Sequence, residues 1–437
     1  MRKKQAQRQV QPLKLTIVTQ FYPPDYAATG QLIAELSGRL SDLGIEVYVF
    51  TGQPGYAFKE DNAPPIEQTK NLLIKRSQSA QIWTNRIRGK AISGLLFWLR
   101  SASHLFTIAR RSDILLLTTA PPYLPILGYL ANRLFGIPYI CLLYDLYPDI
   151  AVELHVVQKR HWLTRCWNAI NHKVWQHAQQ IIVLSSTMKE RITAKNPDLA
   201  DKISIVHNWA NPDHIVPLEK SRNWFAQQWD LVEKFTVLYS GNMGRCHDME
   251  TILATAIALQ QEPIQFVFIG GGAKREEFIN TVRRLGLSNC SFLPYQDQAD
   301  LPYSLTACDL ALVSVSPGME GLVAPSKFYS SLAAGRPVAI VCEPHSYLRQ
   351  IVDEAGCGQT FEHDDSQGLA SFIQMLANNP QKAQQMGMAG RHYLQSHFTP
   401  DIIARQYAHV LYQGAQRKPV RSPQPVQIPS ETKPLRL

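Results

Sequence analysis

A hydroxyl and an ammonium open one short segment in the second half of the chain. Ser326 and Lys327 lie in the stretch GLVAPSKFYSSLAAGRPVAIV, whose pattern predicts a loop, a short helix and a buried strand. The first turn of a helix presents unpaired N–H groups and a partial positive charge. A serine and a lysine at this position therefore predict a site for an anion.

A second candidate for anion binding is the stretch SGNMGRCHD, which follows a predicted strand. Gly241 and Gly244 lie beside Asn242 and Arg245, and His247 stands just before the next predicted helix. A guanidinium group matches the oxygens of a phosphate, and glycine removes side-chain obstruction. The stretch therefore predicts a phosphate contact.

Two further glycine stretches are weaker signals. FYPPDYAATGQL places Gly30 at the start of a predicted helix, where the charged group of a ligand could approach the backbone. A loop glycine in a tight turn explains Gly30 equally well. IGGGAKREEF lacks the GxGxxG spacing and an acid at the distance expected for ribose binding, so we interpret it mainly as tight packing between a strand and a helix.

Carboxylates follow a predicted strand in the first half of the chain. YDLYPDIAVELH places Asp145, Asp149 and Glu153 near the carboxyl end of an apolar run. Such a group is typical of a reactive site, but it is equally typical of a helix N-cap followed by a solvated helix face. The pattern alone favours neither interpretation.

Predicted strands alternate with amphipathic stretches along most of the chain, which indicates parallel sheets with crossover helices. The irregular passage HNWANPDHIVPLEKSRNWFAQQW interrupts this alternation, which restarts at FTVLYSGN. We therefore expect two doubly wound α/β domains, with the site in a cleft beyond the carboxyl ends of their strands. The predicted limits are 13–206 for the first domain, 207–233 for the linker, 234–397 for the second domain and 398–414 for the last segment, between disordered basic tails at 1–12 and 415–437.

Length and charge limit the class of protein. The chain has 437 residues, of which 45% are apolar, and this is enough for two cores. The formal net charge of +9 is concentrated at the ends, with four positive charges before residue 12 and a net four after Gln416. The residues between the two ends carry a net charge of about +1, which argues against a nucleic-acid-binding surface.

Cysteine spacing and the first residues indicate the cytoplasm. The seven cysteines form no CxxC pair, which favours buried, reduced thiols. The basic N-terminal residues run into LKLTIVTQ without the apolar segment of a signal peptide. The uncharged stretch Ile114–Asn132 contains Pro121, Pro122 and Pro125, so we predict a buried strand and a helix there rather than a membrane span.

Three stretches together resemble the GT-B glycosyltransferases of the large retaining family, family 4, that uses nucleotide-sugar donors: YSGNMGRCHDMETIL, FLPYQDQADLPYSLTACDLALVSV and EGLVAPSKFYSSLAAGRPV. The resemblance is strongest to the bacterial branch that builds exopolysaccharides, including colanic-acid-type enzymes, and covers roughly residues 14 to 414. It implies two Rossmann-like domains facing across a cleft. It also implies retaining transfer of a hexosyl group (EC 2.4) in exopolysaccharide or O-antigen synthesis, and a last helix that crosses back to the first domain.

The resemblance also implies roles for single residues. Arg245 and Lys327 would stabilise the departing diphosphate without a metal ion and without a cofactor besides the donor. Glu320 would lie near the sugar or the bridging phosphate, and Asp145 near the reacting hydroxyl. The other donor-binding candidates are Gly30, Gly241, Asn242, Gly244, His247, Leu293, Tyr295, Gly321, Leu322, Val323, Ser326 and Ser330, with Leu293 and Tyr295 beside the base.

The chain departs from the family's pattern at two places. Much of the family carries two glutamates eight residues apart, and this chain has Leu322 and Ser330 there. Glu320, two residues earlier, is either a substitute or a solvated loop residue. The usual arginine and lysine after SG are also replaced, by Asn242 and His247. A serine at position 330 would hydrogen-bond a ribose hydroxyl more weakly than a carboxylate does.

Three alternatives stay open on the sequence alone. A two-domain oxidoreductase is disfavoured, because no GxGxxG follows the first strand of either domain. A nucleotide-sugar epimerase would share the fold. A catalytically silent scaffold of a polysaccharide complex would explain the missing glutamates.

A basic segment without acids extends over residues 70–111, with nine lysines or arginines. Half of its apolar residues fit the core face of a helix equally well, but this does not explain the missing acids. We predict that the segment binds the inner face of the cytoplasmic membrane and brings the cleft to a polyprenyl-diphosphate-linked or other saccharide acceptor. Its aromatic residues, of types enriched at membrane interfaces, are Trp83, Phe97, Trp98 and Phe106.

Overall fold

The computed structural model describes residues 11–25, 27–54, 63–77 and 87–416. In this part of the chain, fourteen strands form two sheets. The first sheet contains β1 (Lys14–Val18), β2 (Glu46–Gly52), β3 (Ile66–Gln68), β4 (Leu72–Ser77), β5 (Ile114–Thr118), β6 (Tyr139–Leu143), β7 (Gln180–Val183) and β8 (Ile203–Ile205). The second contains β9 (Phe235–Ser240), β10 (Ile264–Ile269), β11 (Cys290–Leu293), β12 (Leu310–Ser314), β13 (Val338–Val341) and β14 (Gly358–Phe361).

The helices alternate with these strands. Those that precede β9 are α1 (Ala28–Asp42), α2 (Ile87–Ser103), α3 (Leu105–Arg110), α4 (Ile126–Phe135), α5 (Asp149–Glu153), α6 (Trp162–His177), α7 (Ser186–Lys195) and α8 (Trp224–Gln228). Those that follow are α9 (Glu250–Ala258), α10 (Arg275–Arg284), α11 (Leu301–Thr306), α12 (Lys327–Ala333), α13 (Tyr347–Ala355), α14 (Ser366–Ala377), α15 (Pro380–His397) and α16 (Pro400–Gly414). Short 3-10 helices occupy Pro197–Lys202 and Lys220–Arg222.

The first sheet has the strand order β3-β4-β2-β1-β5-β6-β7-β8 and is parallel except for the β3–β4 pair. Two of its inner strands, ILLLT of β5 and YICLL of β6, are mainly apolar and are buried along their whole length. A parallel sheet is covered by helices on both faces, so its strands need apolar side chains in both directions. The predicted strand and helix in the uncharged stretch 114–132 are confirmed as β5 and the start of α4.

The second sheet has the strand order β11-β10-β9-β12-β13-β14 and is parallel throughout. In both sheets the chain begins at a central strand, β1 or β9, adds the next strands on one side, and then continues on the other side with β5 or β12. This point of reversal is where doubly wound sheets open a crevice for ligands. The predicted fold, two Rossmann-like domains, is therefore confirmed.

The handedness of the crossovers between parallel strands determines which helices lie on the same face of the first sheet. A right-handed crossover places α1 on one face and the helices from α2 to α7 on the other. The last helix, α16, packs against α1 and β6. Within the described ranges, no helix is both long enough and apolar enough to span a membrane.

The connection between the sheets is held by side chains from both. The indole N–H of Trp209 donates to the Glu35 carboxylate of α1 at 2.8 Å. The Arg391 guanidinium of α15 donates to the carbonyls of Pro212 at 2.9 Å and Ile215 at 2.7 Å. The chain segment that crosses between the domains is thereby fixed to both of them.

Candidate functional site

A cleft of about 940 Å³ lies between the carboxyl ends of the two sheets. Its first wall comes from the loop after β1, the exposed side of α1, Asp145 after β6, and the connecting segment near Trp209. Its second wall comes from the loops after β9 and β11 and from the start of α12. The cleft therefore lies where the winding of both sheets predicts a ligand site.

The loop of residues 241–247, here called the glycine loop, forms part of the second wall. It leaves β9 at Gly241, whose φ of +131° favours glycine. A Cβ atom on Gly270 would lie 2.2 Å from the carbonyl oxygen of Gly241, so the turn after β10 fits only without a side chain. The IGGG stretch is thus a packing feature, but it packs against the glycine loop and not, as predicted, between a strand and a helix.

Lys327 begins α12 and reaches back over the glycine loop. Its Nζ lies 3.8 Å from the centroid of the Tyr239 ring and donates to the Tyr239 hydroxyl and to the carbonyl of Asn242. Tyr239 is fully buried in β9 and donates its own hydroxyl to the same carbonyl. Desolvation of the ammonium lowers the pKa of Lys327 to about 7.

Arg245 and His247 differ in how the protein holds them. The exposed Arg245 guanidinium makes no hydrogen bond or ion pair to any residue that the structure describes. His247 is fixed, because its Nδ1 lies 2.8 Å from the carbonyl oxygen of Ser314. A carbonyl only accepts, so Nδ1 carries the hydrogen and Nε2 is an acceptor. Burial, with the nearby Lys327 charge, lowers the pKa of His247 to about 3, so the imidazole is neutral.

Asp145 faces the glycine loop from the first wall. It follows β6, and its backbone N–H donates to the Thr119 hydroxyl at 3.3 Å. The carboxyl group is half-buried, and desolvation raises the pKa of Asp145 to about 6. Burial also raises the pKa of the Cys246 thiol to about 11, and the nearby negative charge of Asp145 adds to this rise. The two walls therefore approach each other closely at Asp145 and Cys246.

The comparison of sequence patterns shows which family has this arrangement. The family model "Glycosyl transferase 4-like domain" matches residues 28–209, and the model "Glycosyl transferases group 1" matches residues 221–393. Together the two matches cover both sheets and most of the chain. The chain belongs to the GT-B glycosyltransferases.

Two relatives of this GT-B glycosyltransferase carry names from polysaccharide synthesis or sugar transfer. WbjE of Pseudomonas aeruginosa, described as a glycosyltransferase, is 26% identical over 328 residues, which are 74% of this chain and 80% of WbjE. WcaI of Escherichia coli (strain K12), described as a colanic acid biosynthesis glycosyl transferase, is 25% identical over 236 residues, 53% of this chain and 56% of WcaI.

Solved structures of GT-B glycosyltransferases have the same architecture. Sucrose-phosphate synthase from Thermosynechococcus elongatus superposes with a TM-score of 0.71 at 18% identity, over 92% of this chain and 98% of that chain. HepE of Anabaena, solved in complex with UDP and glucose, gives a TM-score of 0.66 at 16% identity, over 91% and 99% of the two chains. WaaG, involved in lipopolysaccharide biosynthesis, gives 0.64 at 15% identity, over the same shares. At these identities the likeness establishes the shared fold.

The structure brings most of the predicted site residues of this GT-B glycosyltransferase into one cleft. From the first domain the cleft is lined by Asp145. From the second domain the predicted residues that line it are Gly241, Asn242, Gly244, Arg245, His247, Tyr295, Val323, Ser326, Lys327 and Ser330. The hydroxyl of Ser330 donates to the carbonyl of Lys327 at 3.0 Å, because this serine comes one turn after Lys327 in α12.

Five predicted residues lie elsewhere. Gly30 is buried against the backbone of Phe21 and Tyr22, and its neighbours along the chain line the cleft instead. Leu293 is buried in the core, at the end of β11. Glu320, Gly321 and Leu322 turn toward the first domain, where Glu320 is 1% exposed. The prediction that the Glu320 carboxylate lies beside the donor sugar is therefore wrong: this carboxylate forms a buried contact between the domains.

Sequence patterns missed a cluster in the first wall. Glu35 accepts hydrogen bonds from Trp209 and, at 3.3 Å, from the side-chain amide of Asn211, and all three residues line the cleft. Glu35 occupies a polar position of the amphipathic helix α1, which looks like any solvated position in the sequence. Among the residues that the structure describes, no group of three or more His, Cys, Asp and Glu side chains is arranged to hold a metal ion.

Proposed function

We propose that this GT-B glycosyltransferase moves a sugar, with retention, from a nucleotide-sugar donor to a lipid-linked saccharide in exopolysaccharide or O-antigen synthesis. The observation that carries the proposal is the pair of cationic side chains, Arg245 and Lys327, at one end of the interdomain cleft. A nucleoside diphosphate is the leaving group that such a pair suits, because its negative charge grows as the bond to the sugar breaks.

The second wall supplies the parts of a donor site. Lys327 is held over Tyr239, and Arg245 has no partner among the described side chains that it would have to release. Tyr295 places a half-exposed ring at the far side of the glycine loop, where an aromatic surface suits a nucleobase. The relatives' solved complexes hold UDP in HepE and ADP in a plant starch synthase, which supports a nucleoside diphosphate as the class of ligand.

Retention places the attacking hydroxyl and the leaving phosphate on the same face of the sugar. In this arrangement the departing phosphate accepts the proton of the acceptor hydroxyl, so no protein base is required. Asp145 stands on the wall opposite Arg245, where its carboxylate would accept a hydrogen bond from a neighbouring hydroxyl of the acceptor sugar and so orient the reacting hydroxyl. Lys327 and Arg245 would stabilise the diphosphate, and no metal ion has an assigned role in this scheme.

A donor panel tests this proposal. The purified chain is incubated with UDP-, GDP- and ADP-sugars and a short-chain polyprenyl-diphosphate sugar, and the anomeric configuration of the product is read by NMR. The proposal expects one donor to give a glycoside with the donor's configuration. An inverted product would contradict retention, a change of the donor sugar without transfer would indicate the epimerase alternative, and no turnover with any donor would favour the scaffold.

The same proposal includes attachment to the cytoplasmic face of a membrane through residues 70–111. Residues 78–86 lie outside the described residues, as do the side chains of 87–91 and of Phe106, so Trp83 is not placed. In the described part of α2, one face exposes apolar side chains at helical spacing: Ile92, Leu95 and Leu99. Phe97, by contrast, is fully buried, as the alternative interpretation of a core face expects.

The charge of the neighbouring helices supports a lipid partner. α4 contacts α2, α3 and α6, and none of these four helices contains an aspartate or a glutamate. At the start of α6, Trp162 is 68% exposed and Leu163 is also exposed, close to Lys159 and Arg160 in sequence. Exposed apolar groups among bases suit an anionic lipid surface, where each basic residue contributes about 1 kcal/mol.

Vesicle sedimentation tests the membrane contact. Reversal of Arg86, Arg88, Lys90 and Arg100 to Glu should release the protein from phosphatidylglycerol vesicles at low salt, and Trp162→Ser combined with Leu163→Ser should weaken binding further. Ile257→Ser, which removes an exposed apolar side chain from the second domain, is the matched control. If the charge-reversed variant sediments as the wild type does, the membrane proposal is wrong.

A further inference from the structure

The loop of residues 316–323, here called the anchored loop, belongs to the second domain but is held by the first. It follows β12 and leads into residues 323–327, all of which line the cleft. The Glu320 carboxylate at the middle of the loop accepts a hydrogen bond from the Thr187 hydroxyl at 2.8 Å. Thr187 lies in the first turn of α7, so this buried contact crosses between the domains.

Arg191, one turn further along α7, donates hydrogen bonds to the backbone of the same loop. Its Nε donates to the carbonyl of Glu320 at 2.9 Å, and its Nη2 donates to the carbonyl of Gly318 at 3.0 Å. A planar guanidinium that holds two carbonyls fixes the shape of the loop as well as its position. On the other side, the backbone N–H of Leu146 donates to the carbonyl of Leu322 at 3.1 Å, directly after Asp145.

The glycines of the anchored loop suit this contact. Gly321 has a φ of +74°, and a Cβ atom there would lie 2.6 Å from the carbonyl oxygen of Thr187. Gly318 has a φ of +77°, and its Cβ would lie 2.9 Å from the Glu153 carboxylate of α5. Both positions therefore favour glycine for their backbone conformation, and Gly321 also requires it for the close approach of the α7 backbone.

We infer that Arg191 is a positioning residue for sugar transfer, because it holds the anchored loop against the first domain and thereby sets the placement of residues 323–326, which follow the loop and line the cleft. Arg191 does not line the cleft, so it acts through the loop rather than on the donor. Separation of the domains would break the Arg191 and Thr187 contacts together. The stretch 323–326 would then be placed correctly only when the domains contact each other, so the Arg191 contact couples domain closure to chemistry.

The inference rests on the proposed function, and its test separates the two. Arg191→Ala and Thr187→Val are compared with Lys189→Ala, a control on the same helix whose Nζ contacts the Ile203 carbonyl within the first domain. We expect Arg191→Ala to lower kcat about tenfold or more while UDP or ADP binding changes by less than about twofold, as loss of two charged hydrogen bonds to the loop implies. Arg191→Lys, which can donate a hydrogen bond to one of the two carbonyls, should recover part of the lost kcat.

A second readout does not need turnover. Small-angle X-ray scattering of each variant with UDP should give a larger radius of gyration for Arg191→Ala than for the wild type and for Lys189→Ala. If the wild type turns over no donor, the proposed function fails. The radius of gyration of Arg191→Ala then tests by itself whether Arg191 holds the domains together. Should Arg191→Ala not fold, Thr187→Val decides it, since this change removes only one hydroxyl. The inference is overturned if Arg191→Ala has both the radius of gyration and the kcat of the wild type. It is also overturned if Lys189→Ala loses as much kcat as Arg191→Ala does.

Discussion

The ammonium of Lys327 lies 3.8 Å from the centroid of the Tyr239 ring, and no carboxylate in the described part of the chain pairs with it. The face of an aromatic ring attracts a cation more weakly than a negatively charged group does. The ring also removes water from the ammonium. The consequence is a pKa of about 7 in the free protein. An anion that enters beside Lys327 therefore finds a cation that lacks a strong partner.

Binding of a diphosphate should take up a proton at Lys327. The bound negative charge raises the pKa of the amine from about 7, so above that pH binding must first charge it. Calorimetry with UDP at pH 8, in buffers of different ionisation enthalpy, should show uptake approaching one proton in the wild type. Lys327→Met should show almost none. Equal proton uptake in the two proteins would contradict this role of the lysine.

Replacement of Asp145 by Asn should stabilise the fold at alkaline pH. Burial raises the pKa of Asp145 from 3.8 to about 6, so the folded chain holds this proton more tightly than the unfolded chain does. Stability therefore falls as the pH rises from about 4 to 6, and the loss at pH 8 is at most about 3 kcal/mol. Thermal melts should show a gain for Asp145→Asn at pH 8 that shrinks toward pH 4.5. An equal gain at both pH values would refute the assignment.

Ser330→Glu tests the ribose position. The serine is half-buried, lines the cleft and donates only to the Lys327 carbonyl one turn behind it, so a longer carboxylate can extend into the cleft. We expect a melting temperature close to that of the wild type and modestly tighter binding of UDP or ADP. Ser330→Ala is the control for the lost hydroxyl. A large fall in melting temperature with no gain in affinity would show that the side chain packs against protein instead.

His247 should stay neutral through the physiological range. Its lowered pKa, about 3, follows mainly from burial, so the imidazole resonances should not titrate between pH 8 and 5. Because the unfolded chain binds this proton more readily, stability should fall as the pH drops below about 6.5. His247→Asn, which can still donate to the Ser314 carbonyl, should remove that acid sensitivity. Titration of His247 near pH 6.5 would rule out its buried, neutral state.

Patterns local in sequence predicted the fold well. The strand ILLLT and its neighbours are apolar because helices cover both faces of a parallel sheet, and this shows directly in the residue types. The glycine loop and Lys327 were also predictable, since both stand at the ends of elements whose direction the alternation indicates. A site formed where strands end is the part of a doubly wound domain that sequence defines best.

Contacts between the domains were not predictable in the same way. Thr187 and Glu320 are 133 residues apart, and no periodic pattern relates them. Glu320 was expected beside the sugar because the family resemblance implied it, and a carboxylate usually avoids burial. A hydrogen-bond donor from the other domain removes that cost, and only the packing of the two domains reveals the donor. Glu35 was missed for the same reason, because its partners Trp209 and Asn211 come from the connecting segment.

The most direct test of the account is sugar transfer by variants of the two cationic residues under saturating donor. Arg245→Ala and Lys327→Ala should each lower kcat by roughly 10²-fold, the range for removal of one electrostatic contact to a developing charge. Lys234→Ala, which breaks an exposed ion pair with Asp230 away from the cleft, should leave kcat unchanged. Near-normal transfer by Lys327→Ala would contradict the central claim that this cleft stabilises a departing nucleoside diphosphate.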